Sequence, residues 1–166
     1  LEGDHPRMII PFRNRDGEVF AFQGRAFGKE PQKYITIILD KEHPKIFGLD
    51  RVDTSNVFYV VEGPIDSLFI QNAIAVAQSD LRLPDHKDKA VLVPDNEPRN
   101  KEVCRQIDKF IQEDYSVVIW PKGIKEKDIN DMILSGITSA EIMGIIHSNT
   151  HKGLQAQTVF NSWKRT

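Results

Sequence analysis

Four short apolar runs constrain this chain more than any other feature. They are Val57-Phe58-Tyr59-Val60-Val61, Ala73-Ile74-Ala75-Val76-Ala77, Ala90-Val91-Leu92-Val93 and Val117-Val118-Ile119-Trp120. None alternates apolar with polar residues, so each reads as a strand buried on both faces, the mark of a parallel sheet covered by helices. Helical patterns separate them. Ile65, Leu68 and Phe69 recur at helical spacing after the first run, which Gly63-Pro64 ends. Between Asn100 and Asp114, the residues Val103, Ile107, Phe110 and Ile111 share one helical face. Ile129 to Leu134 reads as a helix stopping near Gly136, and Thr138-Ser139-Ala140-Glu141 as a capping box opening a last helix through Ile145.

The first third has a different texture. Met8-Ile9-Ile10-Pro11-Phe12, Val19-Phe20-Ala21-Phe22 and Tyr34 to Leu39 are β-rich, with a hairpin signal at Asn14-Arg15-Asp16-Gly17 and punctuation at Gly24 and Gly28. Lys45 to Leu49 reads as a short strand or a turn. The organisation expected is therefore a small strand-rich α+β subdomain over residues 1–54, an α/β domain over 55–148 with a mostly parallel sheet flanked by helices, and a weakly periodic tail over 149–166. That tail is expected to be mobile or to dock on a neighbouring surface. Leu1-Glu2-Gly3 reads as a cloning remnant, and the chain as an excised piece of a larger protein.

Function begins with where acids fall. In an open parallel sheet, functional groups collect beyond the carboxyl ends of strands. The first run ends in Glu62-Gly63-Pro64-Ile65-Asp66, the third in Pro94-Asp95-Asn96-Glu97, and the fourth leads to Lys127-Asp128-Ile129-Asn130-Asp131. Carboxylates so gathered repel one another and raise each other's pKa, and a divalent cation relieves that strain. Hard oxygen donors suit magnesium or manganese. Gly63 would let the backbone beside Glu62 approach a ligand closely, and Asp66, one helical turn on, would support the site from behind. Taken singly, Asp128 reads equally as a helix cap and Asp66 as a first-turn acid. Cys104 is the only cysteine, which excludes internal disulfides and a Cys-based zinc site and fits a reducing cytoplasm. No apolar run is long enough to span a bilayer. The net charge of -2 means that nucleic-acid contact needs a local basic patch or bound metal.

These residues resemble the Toprim domain: an apolar strand ending Glu-Gly-x-x-Asp, a second ending in an acid-x-acid pair, and a later Asp-x-Asn segment. Upstream, Pro11 to Val19, Phe22-Gln23-Gly24-Arg25, Lys33-Tyr34-Ile35 and Ile46-Phe47-Gly48-Leu49 follow the order of the catalytic core of bacterial and phage DNA primases. The likeness spans roughly residues 7 to 136 and is more phage-like around Asp95 to Lys101. It implies a Toprim (Rossmann-like) fold and template-directed RNA primer synthesis, in which a 3′-hydroxyl attacks a nucleoside triphosphate and releases pyrophosphate. It implies magnesium or manganese held by Asp95, Glu97 and Asp128, with Glu62 a fourth ligand or the general base, and Asn130 or Asp131 completing the shell.

The resemblance further assigns Arg13, Arg25 and Lys33 to template or nucleotide phosphates; Lys101 and Lys127, beside the acids, bind phosphate or pair with carboxylates. It implies a single-stranded DNA template, nucleoside triphosphates and a replicative helicase as partners, and a cytoplasmic setting, that of a host bacterium if phage-encoded. Glu97 and Asn130 depart from the family, which carries Asp at the first position and often at the second. Those departures leave a Toprim nuclease, or an inactive nucleic-acid-binding module of a replisome, as alternatives. The family's zinc-binding template reader is absent from this chain, so weak priming is expected of it alone. His147 and His151 are spaced to share a helix face, and Trp120 and Trp163 read as base-stacking or packing residues.

Overall fold

A computed structural model describes residues 5–28, 30–77 and 80–165; Leu1 to Gly3 lie outside the described residues. Strands β1 (Arg7–Arg13), β2 (Val19–Ala26) and β3 (Tyr34–Ile38) form an antiparallel sheet in that order. The predicted hairpin joins β1 to β2. Asn14 Oδ1 accepts from the amides of Asp16 at 3.0 Å and Glu18 at 2.9 Å, and Gly17 turns the chain at φ +83°. Gly24 does not break β2. It pairs with Ile9 and Ile35, and the Arg7 side chain lies where a Cβ would point.

The second sheet contains β4 (Ile46–Phe47), β5 (Phe58–Val61), β6 (Ala73–Val76), β7 (Ala90–Val93), β8 (Ser116–Val118) and β9 (Thr150–His151), ordered β4-β6-β5-β7-β8-β9. The four strands built from the apolar runs are parallel, and the two-residue edges β4 and β9 are antiparallel. Because side chains alternate across a strand, each run feeds two cores. Phe58, Val60, Ile74, Val76, Ala90, Leu92 and Val117 face α2 (Lys101–Gln112) and α5 (Gly153–Trp163). Tyr59, Val61, Ala73, Ala75, Val91, Val93 and Val118 face α3 (Ile129–Leu134) and α4 (Ser139–Ser148). A polar residue at any of these positions would face a core, which is why the runs cannot alternate. Full burial of a side chain such as Leu92 contributes about 1.5–3 kcal/mol. Ile10, Phe12, Phe20 and Ala21 of the small sheet pack with Phe47, Ile65 and Ala77, which seats that sheet beside the larger one.

Helix ends follow local chemistry. Asn100 caps α2 by accepting from the amides of Glu102 and Val103, and Asp114 leaves it at φ +58°. Thr138 and Glu141 form the full capping box on α4. Two expectations are corrected. The helical spacing of Ile65, Leu68 and Phe69 yields a single turn, α1 (Pro64–Ser67), and Leu68 is exposed. Too few residues separate β5 from β6 for more, and Asn72 reverses the chain at φ +52°. Residues 149–165 are not a loose tail: β9 extends the sheet, and α5 buries Ala156, Phe160 and Trp163 against α2. Sequence pattern misses this because the inward residues of α5, Ala156, Val159, Phe160 and Trp163, are interspersed with polar ones. No helix of the described residues is long and apolar enough to cross a membrane.

Candidate functional site

From β5 the chain passes to β6 on one side and then crosses to β7 on the other. The opening between β5 and β7 is thus the point where strand order reverses, and ligands of such sheets bind beyond the carboxyl ends there. Val61 pairs with Val93, so Glu62 and the Pro94-Asp95 segment leave the sheet side by side. Glu62 Oε1 accepts from the Asp95 amide at 3.3 Å. Glu62, Gly63, Pro64, Asp66, Asp95, Lys127 and Asp128, with Ala77 and with Gln23, Lys33 and Tyr34 of the smaller sheet's part of the chain, line a cleft of about 400 Å³.

Each acid has a fixed seat. Asp128 Oδ1 accepts from the Asp131 amide at 2.7 Å, so Asp128 caps α3 and also lines the cleft. Asp66 Oδ1 accepts from the Asn130 amide at 2.8 Å, tying α1 to α3. Gly63 has a steric role besides the expected one. Its φ of -104° suits any residue, but a Cβ there would stand 2.2 Å from Asp66 Oδ2. The glycine makes room for the aspartate three residues on.

Burial and mutual repulsion set the electrostatics. Burial first, then the Glu62 charge, pushes the Asp95 carboxyl up to about 7, against the pull of Lys127. Burial raises Asp66 to about 6, opposed by the Asn130 amide. Glu62 is raised by burial, opposed by the Asp95 amide and Lys127. Lys127 Nζ bridges Asp95 and Glu97 at 3.4 Å each. Burial alone would lower that ammonium, yet the two carboxylates hold it above its ordinary value. Across the cleft, burial raises the Tyr34 hydroxyl, Arg25 opposes it, and Asp66, Asp128 and Asp95 add to it.

Among the described residues, no three His, Cys, Asp or Glu side chains are already gathered as a metal-ligating group. The donor set still fits a divalent cation. It is all hard oxygen, its charges raise one another's affinity for protons, and an ammonium bridges Asp95 and Glu97 as a counter-cation. Glu62, Asp95 and Asp128 line the cleft and could hold one, whereas Glu97 is not among the cleft's lining residues and reaches it through Lys127.

The other expected residues divide. Lys33 and Lys127 line the cleft, and Arg25 stands 6.0 Å from the Tyr34 ring centre behind it. Arg13 donates to Gly17 O at 2.6 Å and lines a separate apolar groove with Pro64 and Leu68. Lys101 opens α2 in another depression, beside Cys104 and Phe160. Asn130 contributes its backbone amide, and Asp131 is exposed on α3. His147 lies 2.8 Å from the Tyr59 hydroxyl, while His151 is on β9, so they share no helix face. Trp120 and Trp163 are buried, donating to Pro94 O at 2.8 Å and Asn96 Oδ1 at 3.4 Å.

Sequence reasoning misses Asn96. Its side-chain amide donates to Ile124 O at 3.1 Å and Glu126 O at 3.0 Å, and its backbone amide to Lys127 O at 2.7 Å. It staples the loop carrying Asp95 to the loop carrying Lys127 and Asp128. The one signal available in the sequence is its place between two acids. Tyr34 and Gln23 are likewise legible only as parts of a pattern.

A three-stranded antiparallel sheet beside a mostly parallel six-stranded one gives this chain the fold of solved bacterial primase catalytic cores. The E. coli primase catalytic core superposes with a TM-score of 0.67 at 17% identity, covering 96% of this chain and 56% of that one. A DnaG primase catalytic domain bound to single-stranded DNA gives 0.68 at 17% identity, covering 95% and 55%. The chain is similar to the DNA primase of Enterobacteria phage T4, 45% identical in an alignment of 161 positions that covers 94% of this chain and 47% of that protein. It therefore spans about half the length of the curated relative it matches. No protein-family model matches the chain.

Proposed function

We propose that this chain is the catalytic core of a DNA primase, a nucleotidyltransferase that builds RNA primers on single-stranded DNA. One observation carries the reading: the acids of β5 and β7 stand together at the switch point, inside a stretch 45% identical to the phage T4 primase. In the reaction an ester forms between a 3′ oxygen and the α-phosphorus of an incoming triphosphate, the α–β anhydride breaks, and pyrophosphate leaves. A magnesium or manganese ion held by Glu62, Asp95 and Asp128, with Glu97 and Asn130 at its margin, would lower the hydroxyl's pKa and neutralise the triphosphate.

The chain's own residues do the rest. Glu62, half-sheltered beside the Asp95 amide, either joins the ligands or receives the hydroxyl proton. Asp66 and the α3 cap hold the acidic loops in place. Lys33 and Lys127 both line the cleft and offer charge to phosphate oxygens, and Arg25 supports Tyr34. Arg13 and Lys101, outside the cleft, meet the strand beyond it. The setting is the cytoplasm, alongside a replicative helicase. In the intact parent protein, Asp95→Ala is expected to abolish primer synthesis while the circular-dichroism spectrum is unchanged. Retained synthesis would refute the assignment. Metal-dependent nicking of plasmid DNA without nucleotides would point to a nuclease instead.

A further inference from the structure

The two loops that carry the acids have a second side. Asp95 and Lys127-Asp128 face the cleft, whereas Asn96, Pro98, Ile124 and Lys125, on the same loops, face away from it. There they join Pro121, Lys122, Trp163 and Arg165 around a depression of about 360 Å³. Three cations line it and, among the described residues, no carboxylate does. Lys122, Lys125 and Arg165 are exposed, and none forms an ion pair among the described residues. Glu126, adjacent in sequence, turns its carboxylate to the Lys125 amide at 3.1 Å. The floor is built rather than loose. Trp163 is buried with its indole donating to Asn96, and the Arg165 amide donates to Pro98 O at 2.8 Å, so the end of α5 is fixed against the acidic loop.

A chain of net charge -2 that lines one hollow with three cations and no carboxylate, while Asp95 and Asp128 of the same loops line the cleft, has separated its charges, with Glu126 the acid that feels Lys125. Such a hollow attracts a polyanion, and its Pro121 and Ile124 walls offer contact to a sugar or base edge. We infer that Lys122, Lys125 and Arg165 form a second nucleic-acid surface, which holds the phosphodiester backbone of a single strand on the far side of the loops from the cleft. The inference rests on the primase reading for its choice of polyanion. A strand held there touches Asn96 and Lys125, whose neighbours form the cleft wall, so it also braces the acidic loops from behind.

The test is a salt series of oligothymidylate binding, read by fluorescence anisotropy, for the native chain and the triple variant Lys122→Gln/Lys125→Gln/Arg165→Gln. All three side chains are exposed and none is in an ion pair among the described residues, so the variant should keep its melting temperature. Removing one phosphate contact lowers the slope of log K against log salt by about 0.7. The variant should therefore lose about two units of slope and bind roughly 10²-fold more weakly at 50 mM salt. An unchanged slope and affinity would overturn the surface and leave the primase reading standing. No binding by the native chain would overturn the surface as well. Equal loss of nucleoside-triphosphate binding, measured by calorimetry, would assign the hollow to free nucleotide instead and refute the strand. Failure of the primase reading itself is separate: it appears as primer synthesis that survives Asp95→Ala.

Discussion

Replacing Asp95 by asparagine should make the metal-free protein more stable at pH 8, although it deletes a central residue of the proposed site. In the fold the Asp95 carboxyl is pushed up to about 7, from an ordinary 3.8. The folded chain therefore holds a proton that the unfolded chain releases. Stability contributed by this group is present at low pH and is lost as pH rises through the window from 3.8 to about 7. About three pH units at about 1.4 kcal/mol each set a ceiling of about 4 kcal/mol on what ionising Asp95 costs the fold. The Asp95→Asn variant avoids that cost but gives up the ion pair with Lys127, a half-exposed partner worth up to about 1 kcal/mol. The net gain is on the order of 2 kcal/mol at pH 8, or roughly 5 °C in Tm for a chain of this size. By pH 4 it should vanish. The assay is urea and thermal denaturation in chelator at both pH values. Saturating magnesium should then reverse the order, because ligand binding stabilises only the protein that keeps its carboxylate. A variant no more stable than the native protein at pH 8, or a gain independent of pH, would refute the reasoning.

Gly63→Ala should destabilise by about 1–3 kcal/mol, because the new methyl displaces Asp66 from the Asn130 amide; adding Asp66→Ala should recover part of that loss, a non-additivity read by a double-mutant cycle. Asn96→Ala should weaken manganese binding about tenfold or more by freeing the two acidic loops from each other, measured by paramagnetic resonance or calorimetry. Phe160→Ala should cost about 3–5 kcal/mol in chemical denaturation, since Phe160, on the inner face of α5, is 1% exposed; a loss near zero would mean that α5 is not part of the core.

Much of the architecture is written in the apolar runs. A strand that faces two cores has no polar face, so Val60, Leu92 and Val117 announce their strands without alternation. Glu62 and Asp95 are legible for the same reason, since each follows a run at the point where the chain leaves the core, whereas Asp128 comes a loop after its run. Hidden features depend on contacts distant in sequence. Asn96 acts through carbonyls 28 and 30 residues away. Gly63 depends on where Asp66 folds back. Lys101 stands one residue after a helix cap and is carried by α2 away from the cleft, although it is only six residues from Asp95. The α5 helix escapes a sequence reading because its packing partner is the α2 face, which the sheet alone could already cover.

The central claim is that Glu62, Asp95 and Asp128 hold the cations of a nucleotidyl-transfer site. Its most direct test is a crystal structure with manganese and a nucleoside triphosphate, with the metal located by anomalous scattering. The account predicts manganese among those three carboxylates, Lys127 moved off Asp95, and triphosphate oxygens within reach of Lys33. Manganese bound elsewhere, or a triphosphate held with no metal at these acids, would contradict it.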